Sequence, residues 1–366
     1  MELIYSTPDR ALRILAELMK SENDYFWQQE SRNGPVYRFN EVLTTVHVQP
    51  QQRVSFCSIR DCNPFFHLYE ACWMLAGSNR VDMLTHFVKR MSTFSDDGKT
   101  LNGAYGYRWR QAEVKRNRQE FFDRTRVDQL TQLVEAFRLN QHNRRCVLQM
   151  WNVEDDLMQV DTSKDVCCNT AVYFSTRNDT SGYESRVGVL RYREHDEPLI
   201  LDCLVTNRSN DMVWGAFGAN LVHFSYLLEY MAQRCGFQVG SLITTTINGH
   251  IYKDNWNDEF GNESSTDYEH IRPWEEPLIT TGWEEFDNEL MEVVIWFGNP
   301  ENDHAEWGHL RNDWIRDVVV PMMQGHLAYR HKNYELATTE TTKCAAPDWR
   351  AAGLAWITKR RSKHEQ

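Results

Sequence analysis

The sequence predicts an α+β protein in which a large mixed sheet packs on a few buried helices. In the middle of the chain, strand-like segments outnumber helix-like ones, and long apolar segments separate them. Of the 366 residues, 41% are hydrophobic and 25% are charged, so the chain can bury a large core. The apolar residues are spread along the whole length, which favours one large domain with insertions over two equal domains.

The first predicted elements are a helix, a turn and two strands. Apolar positions of an amphipathic helix over residues 9–21 recur at Leu12, Leu15, Leu18 and Met19. The turn-rich stretch SRNGP follows, and the alternating segments VLTTVHV and RVSFCSI then predict strands over residues 42–48 and 53–59.

Two later segments have the composition of buried helices. Residues 64–77, PFFHLYEACWMLAG, end at a glycine, and residues 221–234 are followed by Gly236. The first segment carries one carboxylate, Glu70, whose burial is costly without a partner or a function. A buried ion pair and a functional acid remain equal alternatives for it. Two strands are expected between these helices, over residues 144–153 and 199–207.

Charge and composition restrict the class of function. A formal net charge of −12 argues against a protein that grips a nucleic-acid backbone, whereas a small anionic substrate needs only a local cluster of arginines. No apolar run approaches the roughly 18 residues of a membrane span, and the start, MELIYSTPDR, lacks a signal-peptide pattern. We therefore expect a cytoplasmic protein.

Cysteine and histidine spacing gives no indication of a metal. The nine cysteines match no zinc pattern, and most are expected to be reduced and buried. The pairs His304 with His309 and His326 with His331 are five residues apart and do not share a helix face as i, i+4 ligands would. The sequence predicts no metal site.

Each remaining motif is ambiguous when taken alone. Cys167 and Cys168 in DVCCNT either fill space or react, and Arg144 with Arg145 is either a solvated pair or an anion site. GAFGAN lacks the third glycine of the dinucleotide fingerprint.

In combination and in order, the motifs resemble those of thymidylate synthases. They are RRxxxxxWNV, a cysteine at a strand end, NRSxD, a glycine turn closing on Asn220, and His250-Ile251-Tyr252, within residues 10–256. The resemblance implies a thymidylate-synthase-like fold with one sheet face at the interface of an obligate homodimer. It implies a catalytic domain over residues 1–259, with residues 260–366 as a family-atypical helical extension packed on it.

The resemblance also assigns catalytic roles. Cys168 becomes the nucleophile that adds to pyrimidine carbon 6, and we expect nearby arginines to depress its pKa. Arg208 would donate to both the phosphate and the thiolate. Glu70 would organise water and shuttle protons at the pyrimidine carbonyl, and Tyr105 would serve the proton step at carbon 5. Asn220 would donate to O4 and accept from N3–H, which favours uracil unless an insertion in GAFGAN displaces it.

The substrate implied by the resemblance is a pyrimidine nucleoside monophosphate. Arg32, Arg208 and Ser209 would bind its phosphate together with Arg144 and Arg145 of the second subunit. The ribose contacts would be His250 and Tyr252, and the alternative for His250 is a hairpin turn after Asn248-Gly249.

The implied one-carbon donor is 5,10-methylenetetrahydrofolate. Asp211 resembles the aspartate that holds the pterin, and the other residues expected at the folate are Trp214, Gly215, Glu70 and Met91.

Three departures from the thymidylate synthase pattern concern the product. The residue after the nucleophile is Asn169, Met91 and Phe94 replace two tryptophans that wall the folate, and the tail ends in KRRSKHEQ where the family has a short apolar lid. A wetter site favours water over hydride at the exocyclic methylene, and hence 5-hydroxymethylation of dUMP. Trp349 or Trp356 could instead supply a lid.

Other functions stay open at the level of the sequence. They are reductive methylation of dUMP, modification of a cytosine nucleotide, and a catalytically silent nucleotide-binding regulator.

Overall fold

The computed structural model describes residues 1–21, 24–115, 124–178, 199–261, 268–303 and 305–365. Strands in this part of the chain are β1 (Glu2–Tyr5), β2 (Phe26–Gln29), β3 (Val36–Phe39), β4 (Leu43–His47), β5 (Ala112–Lys115), β6 (Arg124–Val127), β7 (Val147–Gln149), β8 (Asn169–Arg177), β9 (Ile200–Asp211) and β10 (Gln238–Tyr252). The α-helices are α1 (Pro8–Lys20), α2 (Pro64–Leu75), α3 (Asp82–Thr85), α4 (Tyr105–Arg110), α5 (Gln129–Leu139), α6 (Asn220–Cys235), α7 (Trp283–Phe297), α8 (Val320–Arg330), α9 (Tyr334–Thr342) and α10 (Pro347–Glu365).

One mixed sheet organises the molecule. Its strand order is β1-β4-β10-β9-β8-β7, β3 also pairs with β10, and β2 pairs with β3. The β1–β4 and β9–β10 pairs are parallel and the other pairs are antiparallel, while β5 and β6 form a separate antiparallel pair. The predicted α+β class with a large mixed sheet is confirmed.

The core lies between this sheet and two central helices. All twelve residues of α2 are buried, as are most residues of α6, because a helix that is apolar on every side must be covered on every side. Helices α7, α8 and α10 pack against α2 and contribute Leu290, Met322 and Trp349 to the same cluster. Residues between Val54 and Ile357 therefore share this core, while the buried residues of β1 and α1 belong to a second cluster.

The ends of these helices follow the predicted signals. The Asn63 side chain accepts from Phe66 N–H at 3.2 Å at the start of α2. Gly77 follows α2 and Gly236 ends α6, each with a φ of 72°, the left-handed conformation that glycine adopts most readily. The helices predicted over residues 9–21, 64–77 and 221–234 are confirmed.

The strand predicted over residues 53–59 is wrong. The backbone N–H groups of Phe56 and Cys57 donate to the buried carboxylate of Asp9 on α1, at 2.8 and 3.3 Å, and Ser55 donates its hydroxyl to the same group. Val54 N–H donates to the Tyr268 hydroxyl at 3.0 Å. Because side chains satisfy these backbone groups, the segment runs as an irregular loop in place of a sheet strand.

Two predicted strands differ in length from the observed ones. The strand expected over residues 144–153 is reduced to β7, because Met150 and Trp151 both donate their N–H groups to the carbonyl of Thr170 and break the ladder. The strand expected over 199–207 extends through Asp211 as β9. The alternative of a turn at Asn248-Gly249 is also wrong, since both residues lie inside β10, paired with β9.

Candidate functional site

Cys168 lies immediately before β8, held against β9 by Arg208. The Arg208 guanidinium donates to the carbonyls of Val166 at 2.7 Å and Cys167 at 2.9 Å, and its Nη2 lies 3.7 Å from Cys168 Sγ. Cys168 is half-buried, whereas Cys167 is fully buried and directs its thiol to the Asn169 carbonyl at 3.1 Å. Of the two adjacent cysteines, only Cys168 is placed to react.

The electrostatic setting of the Cys168 thiol differs from the expectation. Burial raises its pKa, and this effect outweighs the lowering by Arg208 and Arg32, while Asp165 raises it further. The predicted depression of the pKa by neighbouring arginines is therefore wrong for the free protein. The pKa of Cys168 is raised because a thiolate is costly in a poorly hydrated site beside a carboxylate.

Arg32 lies near the thiol, and the other polar groups expected at the nucleotide lie on β9 and β10. Arg32 is exposed and donates to the carbonyls of Ser163 at 3.3 Å and Lys164 at 2.6 Å, within electrostatic range of Cys168. Ser209 on β9 lies 3.5 Å from Nδ1 of His250 on β10. The Tyr252 ring lies edge-on to that of His250, with the ring centroids 5.2 Å apart.

Arg144 and Arg145 lie elsewhere in the chain. Both are exposed in the loop that leads into β7, a strand at one edge of the sheet. Among the described residues, neither has a contact with Cys168 or Arg208. A single chain therefore does not bring all the predicted phosphate ligands together.

A buried cluster of ionisable groups joins α2 to α6. Glu70 Oε2 on α2 lies 3.0 Å from His223 Nε2 on α6, and both side chains are more than nine-tenths buried. Burial raises the pKa of Tyr105, and Cys168 and Glu70 are among the groups that add to this. Burial also lowers the pKa of His67 to about 3, with further lowering by Arg60 and His223.

This cluster resolves one open alternative and contains groups that the sequence analysis missed. Glu70 has a buried partner, which does not exclude a function. His67, His223 and Arg60 were not predicted, although His223 follows Asn220 by three residues and His67 precedes Glu70 by three. Residues three apart share a helix face, so this spacing was the available signal.

Asn220 begins α6 beside a second asparagine. Its Nδ2 donates to Asn210 Oδ1 at 3.0 Å, while Nδ2 of Asn210 is buried with no partner in the described part of the chain. A Cβ on Gly215 would collide with Asn210 Oδ1, so this position requires glycine. The Asn169 side chain forms a further buried amide pair with Asn207.

The groups predicted to hold the folate surround the turn after β9. The Asp211 carboxylate accepts from the N–H groups of Val213 at 2.8 Å and Trp214 at 3.3 Å, and burial raises its pKa. Trp214 is 52% exposed, with the Arg60 guanidinium 3.9 Å from its ring centroid. Arg60 Nη2 is buried and has no partner among the described residues.

These groups fit a flat heterocycle with polar edges. An exposed indole offers a stacking face, and the buried guanidinium and carboxylate offer a donor and an acceptor. Met91 lies in the helical turn Lys89–Phe94, half-buried against the main core.

The suggested tryptophan lid is wrong. Trp349 is 2% exposed and lies in the main core near Tyr226 and Trp314. Trp356 is 8% exposed and packs against Phe65 and Tyr329. Their large apolar surfaces are used in packing α10 onto the core, so neither ring is free to cover a ligand.

The remaining predictions concern metal ligands, cysteines and membrane spans. Over the described ranges, no group of three or more His, Cys, Asp or Glu side chains could hold a metal ion. His304 lies outside those ranges. All nine cysteines are free thiols, and most are buried, as predicted. No helix in the described part of the chain is long and apolar enough to cross a membrane.

The fold and the site together define a class of enzyme. A half-buried thiol next to arginines, a buried carboxylate in range of a tyrosine, and paired asparagines at a helix start suit nucleophilic addition to a polar ring. The family model of thymidylate synthase matches residues 23–265. The chain belongs to the thymidylate synthase family, whose members transfer one-carbon groups to pyrimidine nucleotides with methylenetetrahydrofolate as donor.

The chain is similar to two deoxyuridylate hydroxymethyltransferases and, at lower identity, to a thymidylate synthase. The chain is 37% identical over 353 residues to the deoxyuridylate hydroxymethyltransferase of Pseudomonas phage M6, covering 92% of this chain and 89% of the relative. It is 35% identical over 210 residues to that of Bacillus phage SP01, covering 57% and 48%. It is 24% identical over 188 residues to the thymidylate synthase of Buchnera aphidicola subsp. Baizongia pistaciae (strain Bp), covering 51% and 59%.

Proposed function

We propose that this protein is a hydroxymethyltransferase that converts dUMP to 5-hydroxymethyl-dUMP with 5,10-methylenetetrahydrofolate as the one-carbon donor. The observation that carries the proposal is the similarity over nearly the full length of both chains to a deoxyuridylate hydroxymethyltransferase. Buried Trp349 and Trp356 support it, because neither can replace the missing hydrophobic lid over the site.

The reaction begins with the Cys168 thiol. Its sulfur adds to carbon 6 of the uracil, which turns carbon 5 into an enolate-like nucleophile for the one-carbon unit. Arg208, with Nη2 at 3.7 Å from the sulfur, stabilises the thiolate and holds the loop that carries it. Because burial raises the thiol pKa, this contact is needed to make the thiolate accessible.

The nucleotide is bound at both of its ends. Arg32, Arg208 and Ser209 bind the phosphate, and His250 with Tyr252 contacts the ribose. Asn220 recognises uracil, because an amide donates to O4 and accepts from N3–H. Its donation to Asn210 at 3.0 Å fixes the amide orientation.

Asp211, Trp214, Gly215, Met91 and Glu70 line the folate site. Bound there, the folate supplies a one-carbon unit at the oxidation level of formaldehyde. Trp214 provides the stacking surface and Asp211 provides an acceptor. Arg60 provides a donor through Nη2, which has no partner among the described residues. Gly215 keeps the turn close to Asn210, so the folate and base sites adjoin.

The active form is a homodimer that buries one face of the sheet. A row of apolar side chains crosses six paired strands on this face, at Ile4, Val46, Ile243, Leu204, Tyr173 and Val147. All six are exposed or half-exposed in the single chain. An apolar row of this kind is typical of a protein interface. Arg144 and Arg145, at the β7 edge, would then reach the phosphate of the partner subunit.

We also propose a division of the chain into two regions. Residues 1–259 form the catalytic region, and residues 260–366 form an extension that packs on it. The end of the family match at residue 265 supports this boundary, and the contacts of α7, α8 and α10 with α2 support the packing.

Product identification tests this proposal against its alternatives. We expect the wild-type protein, given dUMP and methylenetetrahydrofolate, to form a product of hydroxymethyl mass and no dihydrofolate. Thymidylate with stoichiometric dihydrofolate would instead show a thymidylate synthase. Turnover of dCMP in preference to dUMP would show a cytosine enzyme, and nucleotide binding without product would show a silent regulator.

A variant of the nucleophile tests the mechanism. Cys168→Ser is expected to bind dUMP in calorimetry and to form no product, because a serine hydroxyl is a far poorer nucleophile for this addition. Cys167→Ser is the adjacent control and should retain turnover. Undiminished turnover by Cys168→Ser would overturn the mechanism.

A further inference from the structure

We infer that His223 is a positioning residue that holds Glu70 as the base for the water that attacks the exocyclic methylene. The inference rests on the proposed function, since only hydroxymethylation uses this water. It starts from the contact between Nε2 of His223 and Oε2 of Glu70, 3.0 Å apart, across the packed helices α6 and α2.

The burial of His223 determines its proton arrangement. The residue is 3% exposed, and its Nδ1 has no partner among the described residues. A proton on Nδ1 would leave a buried N–H unpaired, which is costly, whereas a proton on Nε2 faces the carboxylate. Nε2 is therefore assigned as the donor to Glu70 Oε2.

This donation orients Glu70. A hydrogen bond from α6 to Oε2 holds the carboxylate of α2 in one position and leaves Oε1 for a second contact. Oε1 has no partner in the described part of the protein and can accept from a water on the substrate side. The ionisable neighbours of the pair are His67 on α2, Arg60 before α2 and Tyr105 on α4.

Helix geometry places the pair next to the base. His223 follows Asn220 by three residues on α6, so the two side chains lie on one face, one turn apart. Tyr105 lies within electrostatic range of both Cys168 and Glu70. The carboxylate is thus on the same side as the thiol that holds the base and the amide that recognises it.

The step balances without a redox partner. A C–O bond forms between water and the exocyclic carbon, one O–H bond breaks, and the proton passes to Glu70. The electron pair of the exocyclic double bond moves to the ring enolate. That pair then re-forms the C5–C6 double bond as the C6–S bond breaks, and Cys168 leaves as thiolate.

Three substitutions test the role of His223. His223→Leu removes the donor and is expected to lower kcat by at least about tenfold, a fraction of what a general base contributes. His223→Gln places an amide N–H near the position of Nε2 and should restore most of the lost kcat, because it replaces the donor that positions the carboxylate. The dUMP dissociation constant should stay within about twofold of wild type in both variants.

A matched histidine provides the control. His47 is also fully buried, with Nε2 2.7 Å from the Ser6 carbonyl and Nδ1 unpartnered over the described residues. His47→Leu should reduce thermal stability without lowering the kcat of the folded protein. If His223→Leu does not fold, His223→Asn, whose amide is too short to reach Glu70, carries the same expectation.

The outcomes separate this inference from the proposed function. A wild-type protein that makes no hydroxymethyl product refutes the proposed function. Normal wild-type product, with a folded His223→Leu or His223→Asn that keeps the wild-type kcat, overturns only the role of His223. Equal losses in His223→Leu and His223→Gln would also overturn it, because the donated N–H would then be irrelevant.

Discussion

At the scale of single residues, burial and neighbouring charges together determine the pKa of the Cys168 thiol. Burial and Asp165 raise the pKa of the thiol, and Arg208 and Arg32 lower it. The arginines and the reactive thiol can be identified from the sequence, because the motifs that contain them occur in the same order as in thymidylate synthases. The sequence does not show burial or the approach of Asp165, because both depend on how residues 156–168 fold over the end of β8.

Asp165 offers a direct test of this balance. Asp165→Asn removes a carboxylate that raises the pKa of Cys168, so alkylation of this thiol by iodoacetamide at pH 7.5, roughly neutral, should become several-fold faster. In the wild type, Gly103 N–H donates to the Asp165 carboxylate at 2.7 Å, and the amide oxygen of the variant can accept the same hydrogen bond. Peptide mass spectrometry assigns the alkylated cysteine, with half-buried Cys235 as internal control. An unchanged or slower rate at Cys168 would contradict the assignment of Asp165.

At the scale of elements, the sequence predicts those whose signals are local. Helices α1, α2 and α6 are predicted by apolar spacing and terminal glycines, because both signals lie within the segment. The strand over residues 53–59 fails because Asp9, more than forty positions earlier, takes its backbone hydrogen bonds. The Asn248-Gly249 turn fails because β9 and β4 hold β10 as one continuous strand.

The contact between Asp9 and this loop predicts a measurable stability. Asp9→Ala removes the acceptor of the part-buried Phe56 N–H and leaves Cys57 N–H with the longer contact to Ser55 Oγ at 3.4 Å, so it should lower the free energy of unfolding by about 2 kcal/mol. Glu17→Ala, at an exposed position of the same helix, should change it by less than about 0.5 kcal/mol. Urea denaturation measures both. Similar values for the two variants would show that the Asp9 carboxylate does not stabilise the loop.

At the scale of the whole molecule, a buried polar network joins the loop that follows β4 to α6 and to α10, the last helix. Arg53 pairs with Glu229 on α6, and its guanidinium lies 3.8 Å from the ring centroid of Tyr226. Tyr268 donates to Asp348 on α10 at 3.0 Å and accepts from Val54 N–H. None of these partners is close in sequence, so patterning could not predict them.

The network makes stability depend on pH through Asp348. Burial raises the pKa of this carboxyl from 3.8 to about 6, so the folded state binds its proton more tightly than the unfolded state. Its contribution is therefore most favourable below about pH 4 and is lost as the pH rises through about 6. By linkage, the unfolding free energy of wild type relative to Asp348→Asn should fall by about 2 kcal/mol between pH 4 and pH 7. A pH-independent difference in urea denaturation would contradict this.

The apolar row on the sheet tests the proposed dimer. Ile243→Glu places a charge in the middle of the row and should convert a dimer to a monomer in sedimentation velocity, with loss of turnover as Arg144 and Arg145 leave the partner site. Ile295→Glu, at a half-exposed isoleucine on α7, is the matched control and should remain dimeric. A fully active monomer would refute both the interface and the arginines in trans.

The source of the oxygen in the product tests the central claim most directly. Turnover of dUMP and methylenetetrahydrofolate in water enriched in oxygen-18 should give 5-hydroxymethyl-dUMP that carries the heavy isotope in its new hydroxyl, without dihydrofolate. Thymidylate accompanied by dihydrofolate, with no isotope in the product, would show that hydride and not water ends the reaction, and would contradict the account.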